Sequence, residues 1–303
     1  MRVALVTDIN QLNDRGFNAL AFLGVKRAER ELGVKGRVVE SKSAADYIPN
    51  LTRFARDGYD LVIGVGYTQI DAMAAVSKRF PDTNFAIVDV ANADLGERKN
   101  VLGLLFREEQ VGYLAGYLAG LVEKRRPGAD VISSVAGQKQ PPVDRFIAGY
   151  QAGAKAAAPG IKTLNGYSDD FEDQAPCQEV AFNQIAAGSG VVFQVAGACG
   201  LGALDAARQR KVWGIGVDAD QSFLGPHILT SAMKAVDTGV FLAIKSVVDD
   251  RFKGGDAIYN LKQHGVRLGK ISSKVPKQDV TRVRQVEAAI IAGKIKDIPK
   301  ILP

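Results

Sequence analysis

Residues 61–90, LVIGVGYTQIDAMAAVSKRFPDTNFAIVDV, decide the fold. Leu61-Val62-Ile63-Gly64-Val65 is an apolar run of strand length. Asp71 to Phe80 has helical spacing and is closed by Pro81-Asp82, and Asn84 to Val90 is a second apolar strand. Runs that are apolar on both faces belong to strands covered on both sides. A strand, a crossover helix and another such strand make a βαβ unit with its strands parallel.

The same pattern extends in both directions. Upstream, Val3 to Thr7 is a strand, and Asp14 caps a helix carrying Phe17, Leu20, Ala21, Val25 and Ala28 up to Gly33. Gly36 to Glu40 is the next strand, and Asp46 opens a helix through Leu51 and Phe54. After a helix at Glu109 to Lys124 the alternation restarts. Strands at 130–135, 162–167, 191–196 and 212–217 are separated by helices at 143–157, 176–187 and 201–208. This predicts two successive doubly wound α/β units. The last third is too short for a third unit. It offers an apolar strand at 228–233, a helix at 237–252, paired strands over 259–271 and a helix at 280–292 ending at Gly293. These pieces are accommodated if the chain crosses back to the first lobe and returns. The lobes are then 1–107 plus 235–262 and 108–234 plus 263–303, joined by a multi-crossing hinge.

Composition fits two ordinary cores: 303 residues, 47% hydrophobic and 24% charged. No apolar run reaches the roughly 20 residues needed to span a bilayer, and Val111 to Val122 reads as a buried helix. The net charge of +6 is spread along the chain rather than gathered into a stripe, which argues against nucleic acid as a partner. The basic cluster after Glu123 sits where a helix end favours cations. His227 and His264 are isolated, and the two cysteines lack C-x-x-C spacing, so no metal site is expected. Cys177 and Cys199 flank the strand at 191–196, which leaves a disulfide and two buried thiols equally open. Met1 to Val6 already reads as strand, with no leader ahead of it. Either a cytosolic location or a removed leader fits.

Parallel α/β sheets bind ligands at the carboxyl ends of their strands. The residues collected there are Asp8, Phe17, Asn18, Tyr67 and Asp89 from the first unit. The second unit supplies Phe193, Val195, Gly197, Asp218 and Lys234. Acids, an amide, aromatic faces and glycines together suit a flat ligand bearing several hydroxyls. Enzyme chemistry finds little support. Gly197-Ala198-Cys199-Gly200-Leu201-Gly202 has the wrong glycine spacing for a dinucleotide turn, and no phosphate loop or nucleophile elbow occurs. The acids Glu108 and Glu109 are expected on different faces of a helix, in solvent. No catalytic residue and no cofactor is therefore assigned.

Asp14 to Asn18, Phe146 to Ala154, Val195-Ala196-Gly197 and Ile215-Gly216-Val217-Asp218-Ala219-Asp220-Gln221 resemble the basic membrane protein family, also called the purine nucleoside receptor-like family. The resemblance covers nearly the whole chain. It implies a type I periplasmic-binding fold acting as the substrate-binding component of an ABC importer. A nucleoside, most often a purine one, would lie between the lobes. Phe17 and Phe193 would sandwich the base, Asn18 and Asp89 would read its edge, and Asp8, Asp218 and Lys234 would hold the sugar. The partners it implies are permease subunits, with the binding protein a monomer. The location is extracytoplasmic, on a precursor carrying a lipid anchor. One departure is Gly16, where the family usually has serine, which is expected to loosen that loop or to alter a polar contact. A ligand-sensing regulator of the same fold, or a binding protein for another small polar ligand, is the competing reading.

Overall fold

The structure is a computed structural model that describes residues 1–9, 12–128 and 130–302. Along the chain the elements are β1 (Arg2–Val6), α1 (Phe17–Leu32), β2 (Lys35–Val39), α2 (Tyr47–Arg56), β3 (Leu61–Val65), α3 (Ile70–Arg79), β4 (Asn84–Val88) and β5 (Val101–Phe106). There follow α4 (Glu108–Glu123), β6 (Val131–Ala136), α5 (Pro141–Ala157), β7 (Lys162–Tyr167), α6 (Gln174–Ala186), β8 (Val191–Val195), α7 (Gly200–Gln209) and β9 (Trp213–Asp218). The chain ends with β10 (Ile228–Lys234), α8 (Val236–Val248), β11 (Gly255–Tyr259), β12 (Val266–Leu268) and α9 (Lys277–Ile291).

Two units result. The first is Met1–Phe106 with Ala235–Tyr259, and the second is Arg107–Lys234 with the chain from Asn260 onward. Arg107 and residues 260–262 therefore lie in the second unit. The first sheet has the order β11-β5-β4-β3-β1-β2, parallel throughout. The second has the order β12-β10-β9-β8-β6-β7, parallel except where β12 runs against β10. In each sheet the order reverses direction once, at β1/β3 and at β6/β8. Right-handed crossovers place the helices before and after a reversal on opposite faces, so the loops diverge there and leave a crevice. The helix pairs agree: α1 packs on α8 and α2 on α3, while α4 packs on α5 and α6 on α7. Among the described residues no helix is long and apolar enough to cross a membrane.

The central strands are buried along their whole length, as the apolar runs require: every residue of β3 and β8 is buried. The α4–α5 contact is closer than side chains allow. A Cβ at Gly112, Gly116, Gly149 or Gly153 would collide with the backbone of Phe146, Tyr150, Glu109 or Tyr113 respectively. The i, i+4 spacing of these glycines lets the two helices meet backbone to backbone. Cys177, on α6, and Cys199, before α7, are joined by a disulfide with a Cα–Cα distance of 5.6 Å. Trp213, the one tryptophan of the chain, begins β9 and is partly exposed, with Lys274 Nζ 5.7 Å from its ring centroid.

Three expectations change. β5 is a strand missing from the expected set, although its run Val101 to Phe106 is as apolar as that of β3 and, like it, carries one glycine. A side chain on that glycine, Gly103, would meet the Val90 carbonyl and the Asp256 carboxylate. The strands foreseen as a pair within 259–271 do not pair with each other. β11 joins β5 in the first sheet and β12 joins β10 in the second. α8 stops at Val248 rather than at Phe252: Asp249 pairs with Lys245 at 2.8 Å and Asp250 takes a left-handed φ of 53°.

Candidate ligand-binding site

In the first unit, β1 delivers Thr7 and Asp8 to the reversal point. Asp8 is 6% exposed, and its Oδ1 accepts from Asn18 Nδ2 at 2.8 Å, while the Asp8 N–H donates to Asn18 Oδ1 at 3.3 Å. Asn18 Nδ2 also donates to Asp14 Oδ2 at 3.2 Å. Both amide protons of Asn18 are thus spent inside the unit, and the side chain is fully buried. Asn18 positions Asp8; the base-reading role that the resemblance implied does not fit it. Asp14 performs the capping expected of it from outside the helix. Its carboxylate accepts from the N–H groups of Gly16, Asn18 and Ala19 at 2.9, 2.7 and 3.1 Å. Burial pushes the Asp14 carboxyl above its ordinary range, against the pull of these hydrogen bonds. With Asp14 holding both sides of Gly16, the glycine at the family's usual serine position leaves the loop pinned rather than loose.

Phe17, the first residue of α1, is partly exposed, and its ring and the Asp8 carboxylate both border Gly66. A Cβ on Gly66 would stand 3.1 Å from Asp8 Oδ2 and 3.4 Å from Phe17 Cε1. Gly66 has φ 103°, open to glycine and strained for other residues. Tyr67 follows it, partly buried against the unit's core. Gln69 Nε2 ties the ends of β1 and β3 together by donating to the carbonyls of Val6 and Val65 at 3.0 and 2.9 Å. Asp89, just beyond β4, is 6% exposed and holds a left-handed φ of 73°.

The second unit repeats the plan with different chemistry. Val195 ends β8 nearly buried, and Gly197 adopts φ 55°. Asp218 ends β9 with φ 62°, occupying the place in its sheet that Asp89 has in the first. A glutamine brace again ties the strand ends: Gln194 Nε2 donates to Gln221 Oε1 at 2.9 Å, and the Gln221 N–H donates to Ser231 Oγ at 3.0 Å.

Phe193 does not face this edge. It has no exposed surface, and its ring packs on Tyr150 at 5.0 Å and on Phe146 at 6.2 Å between centroids. A residue in the middle of a strand covered on both faces belongs to the core, so its expected stacking role is withdrawn. The ring that does lie at the edge is Phe171, after β7. It is partly exposed, its edge fills the space a side chain on Gly137 would take, and its carbonyl accepts from the Cys199 N–H at 3.0 Å. A lone aromatic inside the acidic loop Asp169-Asp170-Phe171-Glu172-Asp173 was the signal available in the sequence. Beside it, the Tyr167 hydroxyl donates to Asp144 Oδ1 at 2.5 Å. Burial first, and this bond second, drive the Tyr167 phenol well above its usual range.

Lys234 ends β10 at 2% exposure, with Nζ 3.0 Å from Glu108 Oε1 and 5.8 Å from the Phe146 ring centroid. Arg145 Nε donates to the other oxygen of Glu108 at 2.7 Å. Glu108 and Glu109, expected in solvent, are 0% and 4% exposed. The expectation fails because α4 is flanked by α5, β10 and α9 and has little free face. Burial alone would raise the Glu108 carboxyl, but Lys234 and Arg145 outweigh it and hold it below the usual range. Burial pushes the Glu109 carboxyl up, and the neighbouring Glu108 adds to this, against the weaker pull of Arg107 at 3.8 Å and of Lys300.

The family described as Bmp, ABC transporter substrate-binding protein PnrA-like, matches residues 1–300. The chain belongs to this family. Among its Bmp relatives is the ABC transporter nucleoside-binding protein BmpA of Lactococcus lactis, 34% identical over 318 residues that cover 97% of this chain and 88% of that protein. A lipoprotein of Pyrococcus horikoshii is 34% identical over 311 residues, covering 98% of this chain and 74% of that one. The crystal structure of an ABC transporter solute-binding protein from Aeropyrum pernix superposes with a TM-score of 0.89 at 27% identity, over 99% of this chain and 94% of that one. The type I periplasmic-binding architecture is thereby shared. As a Bmp protein this chain is a substrate-binding component of an ABC transporter. Asp8 with Phe17, and Phe171 with Tyr167 and Asp144, lie at the carboxyl edges of the two sheets.

Proposed function

We propose that this protein captures a nucleoside, a purine nucleoside foremost, and delivers it as a monomer to the permease subunits of an ABC importer. The observation that carries this reading is that Phe17 and Asp8 both border Gly66. There a flat apolar face stands beside a carboxylate whose orientation is fixed by Asn18. A base can stack on the ring while its N–H groups or the sugar hydroxyls donate to the acid. Phe171 supplies a second face in the other unit, and Asp89 and Asp218 supply further acceptors. Tyr67, Val195 and Gly197 complete the set, with Lys234 buried against Glu108 beneath it. The name of the Lactococcus relative supports the nucleoside, and the Pyrococcus lipoprotein supports a lipid-anchored, extracytoplasmic location. The Cys177–Cys199 disulfide is at home in such an oxidising compartment. Binding and release are the whole task; no bond is made or broken.

The test is a thermal-shift panel of nucleosides, free bases, sugars and amino acids, since a ligand of the native state raises the melting midpoint by mass action. Inosine, guanosine or adenosine is expected to give the largest rise. Phe17→Ala, Phe171→Ala and Asp8→Ala should each reduce that increment. Phe193→Leu should lower the midpoint of the unliganded protein and leave the increment intact. A panel in which only sugars or amino acids shift the midpoint rejects the nucleoside. Loss of binding from variants of one unit alone confines the site to that unit.

A further inference from the structure

Three ionisable side chains of the second unit form one cluster at the carboxyl edge of its sheet. Glu108 opens α4, Lys234 ends β10, and Arg145 lies in the first turns of α5, which follows β6 at the β6/β8 reversal. Glu108 is fully buried between the two cations, at 3.0 Å from Lys234 and 2.7 Å from Arg145. Such a cluster is a poor device for stability. Taking charges out of water costs about as much as their attraction returns, and well-packed apolar side chains of similar volume do as well or better. Its retention at a ligand-binding edge points to a use for the charge it holds in place.

The two cations differ in access. The Lys234 side chain is 2% exposed, whereas that of Arg145 is 20% exposed. Of the pair, Arg145 is the one that shows surface at this edge. Its neighbour in sequence, Asp144, holds Tyr167 at the end of β7, so the first turns of α5 lie beside the carboxyl end of that strand. A guanidinium held at Nε presents a rigid planar fork of donors, suited to two adjacent acceptors on a flat molecule.

We propose that Arg145 is a ligand-contacting residue of the second unit, with Glu108 and Lys234 beneath it as positioning residues that fix its guanidinium. The ligand feature it addresses is an edge with two neighbouring acceptor atoms, as a base or a sugar diol offers. This rests on the proposed function only in taking the strand edge as the binding edge; neither the family match nor the sequence patterns select Arg145.

Affinity for the best ligand of the panel above, inosine being the first probe, is measured by calorimetry beside the melting midpoint. Arg145→Ala should weaken binding at least tenfold. Arg145→Lys keeps the charge and loses the fork, and should still weaken it severalfold. Glu108→Gln should lower both midpoint and affinity, because two cations lose their shared anion. The Glu108→Leu/Lys234→Met pair separates the roles: the midpoint should recover towards that of the parent protein while affinity stays at least tenfold down. A cluster that is structural only would recover both. Binding within twofold of the parent in Arg145→Ala, or full recovery of affinity in the apolar pair, overturns the proposal. If the parent binds a sugar or amino acid instead of inosine, the nucleoside reading falls and the same variants test Arg145 on that ligand. A parent that no member of the panel stabilises overturns both readings.

Discussion

In the first unit the helix that follows the strand at the reversal point, α1, is fixed by hydrogen bonds. Asp14 gathers three backbone N–H groups, and Asn18 links it to Asp8. In the second unit the corresponding helix, α5, is fixed by ions, with Arg145 held to Glu108 and Glu108 to Lys234. The strand orders match position for position. Both sheets brace their strand ends with a glutamine, and both end a central strand on an aspartate of positive φ. What differs is what surrounds the edge. The first unit relies on a loop capped locally by Asp14, while the second adds a disulfide, a glycine-packed helix pair and a buried ion cluster. A shared topology thus fixes where the edge lies and leaves open how its side chains are held.

The largest expected effect tests the helix pair. Gly116→Ala would drive a methyl into the backbone of Tyr150, and should cost the second unit about 3 kcal/mol by denaturant unfolding. Gly24→Ala, at the α1–α8 contact of the first unit, meets the Asp237 carbonyl at 2.5 Å and Val240 Cβ at 2.9 Å. The obstacle is again backbone, but at 2.5 Å rather than the 1.8 Å of the Tyr150 carbonyl from Gly116, so the cost should be about half. Equal costs would erase this difference between the units.

Reduction of the disulfide should come next. A cross-link between residues 22 apart constrains the unfolded chain by about 3 kcal/mol in the loop-entropy picture, with reported values scattering below it. Hydrogen exchange with and without a reductant should show α6 and α7 losing protection while α2 and α3 keep theirs.

Acidification should then separate the units by sign. The Glu108 carboxyl is held below 4.5 in the folded state. Its contribution is present above that value and is lost as pH falls through the lower folded pKa. The Asp14 carboxyl is raised above 3.8, so its contribution is fullest below that value and is lost as pH rises through the higher folded pKa. Stability–pH profiles of Glu108→Gln and Asp14→Asn, each subtracted from the parent, should slope in opposite directions. Parallel slopes would mean that one of the two carboxyls is not held as described.

The smallest effect concerns the paired aspartates. Asp89→Gly and Asp218→Gly remove the left-handed strain at the cost of chain entropy, and should move stability by less than about 1 kcal/mol. Ligand affinity should fall in both. A fall in only one would show that the matched backbone positions serve unmatched purposes.

The two-unit plan was legible because a βαβ unit is written in runs of apolar residues that need no partner to be read. β3 and β8 announce themselves in this way. β5 carries the same kind of run, with Gly103 where β3 has Gly64, and was equally legible. The first unit's edge was largely legible, because Asp8, Asp14, Phe17 and Asn18 lie within one short stretch of chain. The second unit's edge was not. Which of Phe193 and Phe171 faces outward depends on Tyr150, Phe146 and Gly137, which are brought together only by folding. Glu108 was misjudged for the same reason, its partners being 37 and 126 residues away in the chain.

The chain's one tryptophan, at the start of β9, gives the two units unequal visibility. Intrinsic fluorescence excited at the indole follows the second unit, whereas far-ultraviolet dichroism sums the helices of both. If the units melt together, the two signals trace one curve; if the disulfide-linked unit outlasts the other, dichroism falls first and fluorescence follows. Comparing the two signals in one sample would report the order in which the halves of the molecule come apart, with no label attached.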